Sequence, residues 1–311
     1  MALIGTTDLD VFPLSLGGNV FGWTANETQS RAVLDAYVAA GGNFVDTADS
    51  YSAWAPGNVG GESETIIGNW LAARGRRDDI VLATKVSRHS EARGLSRASI
   101  RRGIEASLRR LQTDHVDLYY AHYDDPDTPL AESVAALGEL VTEGKVRYVA
   151  ASNHSAARIE ESLKIADQLG VARYTAVQPH YNLVHRGDVE GGLADLAARE
   201  NLGLIPYYAL ASGFLTGKYR DADAAGSSPR SGTALKYLDD RGRRVLAALD
   251  QVAAAHSASV TTVALAWLAS RPNVVAPLAS ARTVEQLPDL IASADLHLTD
   301  DELNTLTTAS S

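Results

Sequence analysis

Short apolar runs alternate with amphipathic segments along this whole chain, and that alternation constrains its fold more than any other feature. The candidate strands are Leu14–Gly17, Asn43–Thr47, Ile80–Lys85, Val116–Ala121, Val146–Ser152, Tyr174–Gln178, Gly203–Tyr207 and Val274–Leu278. Between them, apolar residues recur at helical spacing. Residues 27–40 follow Asn26, a capping residue type, with Gln29 three positions on; they turn Val33, Leu34, Tyr37 and Val38 inward and stop at Gly41-Gly42. Residues 97–111 set Ile100, Ile104, Leu108 and Leu111 on one stripe, with arginines elsewhere. Residues 62–74, 130–143, 155–169 and 189–200 repeat the theme. Two helical stretches, 235–255 and 260–270, separate the seventh and eighth strands, and residues 283–293 follow the last.

A strand–helix unit repeated eight times predicts an α/β fold, a (β/α)8 TIM barrel rather than an open sheet. Residues 1–12 read as a short hairpin that plugs the barrel bottom, and the stretch between strands seven and eight supplies an extra helix. No linker interrupts the pattern, so residues 1–311 are expected to form one domain that carries both catalysis and cofactor binding. The polar, small-residue stretch Asp221–Gly232 reads as a loop after the seventh strand. Ser52–Gly61, with Trp54 and three glycines, reads as another.

In this architecture the residues just past strand C-termini line the active site. Asp46, Lys85 and His122 take that position on the second, third and fourth strands, and Tyr51 lies five residues after Asp46. The four types make coherent chemistry. A free tyrosine has a pKa of ~10. Lys85 is expected to lower it by stabilising the phenolate, with Asp46 holding the lysine charged and fixed. Tyr51 can then donate a proton to a carbonyl oxygen as hydride reaches the carbon, while His122 orients that oxygen. A lysine at a strand end is also compatible with a Schiff-base lyase or aldolase acting through Lys85, with Asp46 and Tyr51 as proton shuttles.

Composition narrows the alternatives. The chain is 45% hydrophobic and 21% charged, as expected of a globular protein, and its net charge of −10 argues against a nonspecific nucleic-acid binder. It has no cysteine, which excludes disulfides, thiolate zinc sites and cysteine nucleophiles. The first residues lack a basic region and a long apolar core, and no run of apolar residues is long enough for a membrane span, so the expected location is the cytoplasm. His89, His115, His154, His180, His185, His256 and His297 show no metal-ligand spacing. Asp124-Asp125 reads as a solvated turn before Pro126, and Glu62 and Glu64 as charges at a helix start.

Several segments together resemble the aldo-keto reductases over nearly the whole length. They are Leu14-Ser15-Leu16-Gly17-Gly18, Gly42 through Tyr51, Gly61-Glu62-Ser63-Glu64, Ala83-Thr84-Lys85 and Asp117 through His122, followed by Ser152-Asn153, Val177-Gln178 and Gly213 through Tyr219. The resemblance implies the same (β/α)8 barrel, reduction of an aldehyde or ketone, and Tyr51 as the acid with Asp46, Lys85 and His122 as partners. It also implies a nicotinamide cofactor extended over the barrel mouth, since no Gly-x-Gly-x-x-Gly opens a helix here. A further implication is a non-catalytic alternative, a nicotinamide-binding, redox-reporting subunit, because the family includes channel-associated members.

The positions that match the family's cofactor site are Ser152, Asn153 and Gln178 for the carboxamide and Tyr207 for stacking on nicotinamide. Tyr208 stands where the family usually has a small residue, so either ring can take the stacking position. Leu210, Ser212, Gly213, Leu215, Gly217 and Lys218 can wrap a pyrophosphate with backbone N–H groups and one positive charge. Arg282 suits a 2′-phosphate and favours NADPH/NADP+ over NADH, with Gln286 and Asp289 at adenosine positions. Leu290 replaces a frequent asparagine and weakens the adenine contact, and Pro288, placed in the second turn of the following helix, is expected to bend it. Trp23, Trp54 and Tyr123 fall on loops at the mouth. Their aromatic walls favour apolar or cyclic carbonyl substrates, although sugars also stack on such rings. The tail after Leu306 is short, so the pocket is expected to be fairly open.

Overall fold

The chain starts with two short strands, β1 (Ala2–Leu3) and β2 (Asp10–Val11), paired antiparallel. The strands and helices then alternate: β3 (Ser15–Gly17), α1 (Glu27–Ala39), β4 (Phe44–Asp46), α2 (Glu62–Arg74), β5 (Val81–Val86), α3 (Arg97–Leu111), β6 (Val116–Ala121), α4 (Leu130–Thr142) and β7 (Val146–Ser152). They continue through α5 (Ala156–Leu169), β8 (Tyr174–Gln178), α6 (Gly192–Glu200), β9 (Gly203–Leu204), α7 (Ser231–Ala234), α8 (Asp240–His256), α9 (Val260–Ala269), β10 (Leu278–Ala279), α10 (Leu287–Ile291) and α11 (Asp300–Ala309). The computed structural model describes residues 1–221 and 229–311. Most of the stretch expected to form a loop at Asp221–Gly232 therefore lies outside the described residues, and its last two residues begin α7.

Eight parallel strands form one sheet in the order β10, β3, β4, β5, β6, β7, β8, β9. The two ends of that order meet. Leu204 N donates to Asn273 O at 2.7 Å, Val275 N to Leu204 O at 2.9 Å, and Leu278 N to Pro206 O at 2.8 Å. The sheet thus closes on itself as the predicted (β/α)8 barrel. The seventh and eighth strands are shorter than the apolar runs suggested, two residues each. Pro206 and Pro277 explain this, because neither has an N–H to give a ladder. The eighth predicted strand splits: residues 273–275 pair with β9, and Leu278–Ala279 pair with β3.

β5 and β6 are buried along their whole length, as expected for strands covered on both faces. Alternate residues fill the barrel interior, among them Phe44, Ala83, Leu118, Tyr120, Ala150, Ala176 and Ala276. Ile4, Leu9 and Val11 of the hairpin pack into the same cluster, so the hairpin plugs the barrel. The other faces of the strands bury the helices' apolar stripes in a second, larger cluster.

The helix starts follow local chemistry. Asn26 and Gln29 form a reciprocal capping box on α1, and Ser96, Ser155, Asp239 and Ser259 cap four later helices. Tyr37 from α1 donates to Leu14 O at 2.6 Å, tying the helix to the first barrel strand. Gly42 is required there, since a Cβ would stand 2.3 Å from the Tyr37 ring. A helix not assigned from the sequence, α11, begins at a Thr299–Glu302 capping box. Pro288 lies in the first turn of α10 rather than the second, where its missing N–H breaks no helical bond. No single helix among the described residues is long and apolar enough to cross a membrane.

Candidate active site

Side chains two apart on a strand point to the same face. Phe44 and Ala83 face the barrel interior, so Asp46 and Lys85 follow them there, one step nearer the C-terminal mouth. Leu118 and Tyr120 extend the same register to His122, which lies just past β6. Asp46 and Lys85 are completely buried and joined at 2.5 Å between Nζ and Oδ1. Lys85 Nζ also donates to Thr47 O at 2.8 Å and to Tyr51 Oη at 3.0 Å. Three acceptors thus occupy the ammonium's three donors. Tyr51 Oη lies 3.5 Å from Asp46 Oδ1, and the rings of Tyr51 and His122 are 6.1 Å apart. The four predicted groups therefore converge.

Their electrostatics differ from the sequence expectation in one respect. Burial, followed by the Asp46 carboxylate, holds the Tyr51 phenol well above its ordinary value. The neighbouring Lys85 ammonium does not bring it below that value, because burial and the Asp46 carboxylate outweigh it. Burial lowers the Lys85 value, with Asp46 opposing. Burial, followed by the charges of Lys85 and Arg88, pushes the His122 imidazole well below its usual value. The ring is therefore neutral near pH 7, and its buried Nδ1 has no hydrogen-bond partner among the described residues.

A cavity of about 750 Å³ opens above this group. Tyr51, Trp54, His122, Tyr123, Ser152, Asn153, Gln178, Tyr207, Leu210, Ser212, Gly213, Lys218, Arg282, Gln286 and Asp289 line it, as expected from the sequence, and so do Tyr208 and Leu290. Three of the expected cofactor and substrate residues do not. Trp23 stands behind Trp54, edge-on at 5.6 Å. Leu215 is fully buried in the core, and its N–H bonds Leu210 O within the turn. Gly217 ends that turn with its N–H on Phe214 O. The Gly213 N–H is likewise engaged, on Leu210 O at 2.8 Å. These amides already close their own turn and are not free to wrap a pyrophosphate. Ala211, Ser212 and Gly213 are all left-handed, with φ of 48°, 58° and 94°, a strained run for two residues with side chains.

The amides expected to meet a carboxamide are partly committed as well. Gln178 Nε2 donates to Asp46 Oδ2 at 2.8 Å, a link across the barrel that sequence analysis missed. Asn153 Nδ2 donates to His122 O and to Ser152 Oγ, and Asn153 Oδ1 accepts from Tyr207 Oη at 2.7 Å. Ser152 Oγ donates to Gln178 O at 2.8 Å. Gln286 Oε1 accepts from Arg282 N at 2.8 Å, which shapes the turn before α10. These bonds make a rigid floor and one end of the cavity. Tyr207 stacks on His180 at 5.4 Å, so one of its faces is taken, while Tyr208 is nearly half exposed.

Two cationic cavity residues escaped sequence analysis. Arg230 lies 5.3 Å over the Trp23 ring, and burial lowers its value. It falls within Asp221–Gly232, the stretch that reads as a polar loop after the seventh strand. Arg88 lies just past β5, three residues after Lys85, a position that the strand-end rule flags.

Glu64 stands in the first turn of α2, as expected, but it does more than charge a helix start. It is fully buried, accepts from Thr84 Oγ1 at 2.5 Å and pairs with Arg110 Nε at 2.6 Å. Glu62 does serve the helix start, accepting from Val59 N and Gly60 N. Asp125 is structural rather than merely solvated, holding Leu95 N and Thr128 Oγ1. Asp49, near Glu64, is fully buried with no aligned partner for either oxygen among the described residues. Burial, reinforced by the Glu64 charge, raises its pKa from 3.8 to about 7. The folded state therefore holds this proton more tightly than the unfolded chain, and the group's cost grows from pH ~4 to ~7 and then levels off. Asp49→Asn removes that cost. The melting temperature of the variant minus that of wild type is expected to rise between pH 5 and pH 8, with up to roughly 2–4 kcal/mol at stake. A difference independent of pH contradicts the assignment.

Comparison with known proteins agrees with this architecture. A sequence model of the Aldo/keto reductase family matches residues 13–311. The chain is 33% identical to Protein tas of Escherichia coli, over 96% of its own length and 93% of that protein's. It is also 33% identical to norsolorinic acid reductase B of Aspergillus parasiticus, covering 96% and 81%. A probable voltage-gated potassium channel subunit beta of Oryza sativa subsp. japonica shares 33% identity, covering 94% and 90%. By the extent of these matches and by its closed eight-stranded barrel, the chain belongs to the aldo/keto reductase family.

Proposed function

We propose that this protein is an NADPH-dependent oxidoreductase that reduces an aldehyde or ketone to an alcohol. The observation that carries the reading is Lys85 Nζ held between Asp46 Oδ1, Thr47 O and Tyr51 Oη, beneath a large cavity. Tyr51 Oη gives its proton to the carbonyl oxygen. The phenolate left behind is stabilised by Lys85, whose charge Asp46 fixes and Gln178 buttresses. His122, neutral, donates one ring N–H to the same oxygen and orients it. The raised phenol suits this role, since Tyr51 keeps its proton until an alkoxide forms.

The cavity residues fit a nicotinamide dinucleotide. Lys218, Arg230 and Arg282 form no ion pair with the described residues, which suits phosphates, and the polar atoms of Ser152, Asn153 and Gln178 gather at the Tyr51 end. When bound there, a reduced nicotinamide would supply the hydride. Arg282 is the proposed 2′-phosphate partner, with NADH as a weaker cofactor, and Gln286 and Asp289 are the proposed adenosine contacts. Trp54 and Tyr123 supply aromatic walls for the substrate.

The saturated ammonium of Lys85 favours the phenol acid over imine chemistry, which needs a free lone pair on that nitrogen. The likeness to a channel subunit supports a second reading, a nicotinamide-binding subunit with negligible turnover. Oxidation of NADPH in the presence of a panel of aldehydes and ketones separates the two. Carbonyl-dependent oxidation supports the reductase; tight binding without turnover supports the subunit; borohydride trapping of a carbonyl on Lys85 supports a lyase. Arg282→Ala is expected to weaken NADPH binding by about tenfold or more and NADH far less, by the usual worth of a charge-assisted contact. Equal weakening of both removes the 2′-phosphate assignment.

A further inference from the structure

Of the four cations lining the cavity, three lie close together in the barrel's circular order. Lys218 and Arg230 follow β9, and Arg282 follows β10. In a closed barrel β9 and β10 are neighbours. Arg88 follows β5, which lies four strands from β9 and three from β10, on the far side of the mouth. A dinucleotide's phosphates can occupy the first three. Arg88 is left over.

Its surroundings point to the substrate. The guanidinium lies 4.6 Å over the Tyr123 ring, Tyr123 lies 5.1 Å from the His122 ring, and His122 faces Tyr51. Stacking uses the flat face of a guanidinium and leaves its in-plane N–H donors available for a carboxylate. No carboxylate among the described residues pairs with Arg88, in a chain whose net charge is −10. Its charge also reaches the acid-base group, since it helps to depress His122.

We propose that Arg88 selects carbonyl compounds carrying a carboxylate, binding that group at the edge of the cavity while the carbonyl sits at Tyr51. The proposal rests on the reductase reading and sharpens it to a substrate class. A ring or short chain between the two groups matches the aromatic wall that joins them.

The test compares 4-carboxybenzaldehyde with its methyl ester, in wild type and in Arg88→Gln and Arg88→Lys variants, with NADPH. Wild type is expected to prefer the acid. Arg88→Gln is expected to lower the acid-to-ester ratio of kcat/KM by about tenfold, chiefly through KM, and Arg88→Lys to keep most of the preference. A binding measurement supplements turnover: 4-(hydroxymethyl)benzoate, the reduced acid, is titrated against tryptophan fluorescence, and Arg88→Gln is expected to weaken it about tenfold. A merely structural role for Arg88 would move acid and ester alike, and that result overturns the proposal. If wild type reduces both aldehydes and the ratio does not move, Arg88 alone is misassigned. If wild type reduces neither these nor any carbonyl of the wider panel, the reductase reading fails, and the substrate class with it.

Discussion

Tyr51→Phe is expected to abolish carbonyl-dependent NADPH oxidation, lowering turnover about 10²–10⁴-fold, the usual worth of a positioned proton donor. NADPH affinity should stay within about threefold. The substitution removes one oxygen and preserves the ring that packs edge-on against Trp54 at 6.0 Å. That oxygen is one of three acceptors on Lys85 Nζ, and Asp46 and Thr47 remain to hold the ammonium. Stability should therefore change little, and the loss should appear in kcat. Stopped-flow turnover and fluorescence titration of NADPH check the two halves. Turnover within tenfold of wild type removes Tyr51 as the acid. The wild-type pH profile adds a check. Burial and Asp46 hold the phenol well above 10, so ionisation of Tyr51 should not reduce the rate below that pH. A fall centred near neutral pH would show that another group donates the proton.

Lys85→Met is expected to cost both activity and stability. Asp46 and Lys85 are fully buried, and the pair is joined at 2.5 Å. Removing the cation leaves a buried carboxylate with Gln178 Nε2 as its remaining close donor. Breaking such a pair costs about 3–5 kcal/mol, because the surviving charge has lost its water and its partner. Lys85→Met/Asp46→Asn should recover much of that stability, since no charge is left uncompensated, and should remain inactive, since the phenolate has no counter-charge. Urea unfolding of the two variants and of wild type decides this. Equal stabilities for the single and double variants would show that the buried pair is not strongly coupled.

Much of the site was legible before any coordinates. Asp46, Lys85 and His122 end apolar runs, and an interior face that alternates every second residue carries all three to one point. The Asn26–Gln29 and Thr299–Glu302 boxes are equally local signals, although the second went unassigned. The cofactor loop was less legible. Leu215 and Gly217 have the composition of a phosphate-wrapping segment, but their amides close a turn on Leu210 and Phe214. Composition does not say where an N–H points. Glu64 illustrates the same limit: its place at a helix start is legible, but its burial and its pairing with Arg110, 46 residues away, are not.

The sequence by itself determined the barrel, its plug and the convergence of four reactive groups, because strand and helix periodicities are local and the strand-end rule needs only their order. Tertiary structure alone decided three things. The barrel closes through Leu204 and residues 273–275, where prolines cut the strands short. Gln178 reaches across 132 residues of sequence to brace Asp46. The Tyr51 phenol is raised rather than lowered, because desolvation and the net charge of a pair depend on what surrounds a side chain from every direction, and no spacing along the chain encodes that.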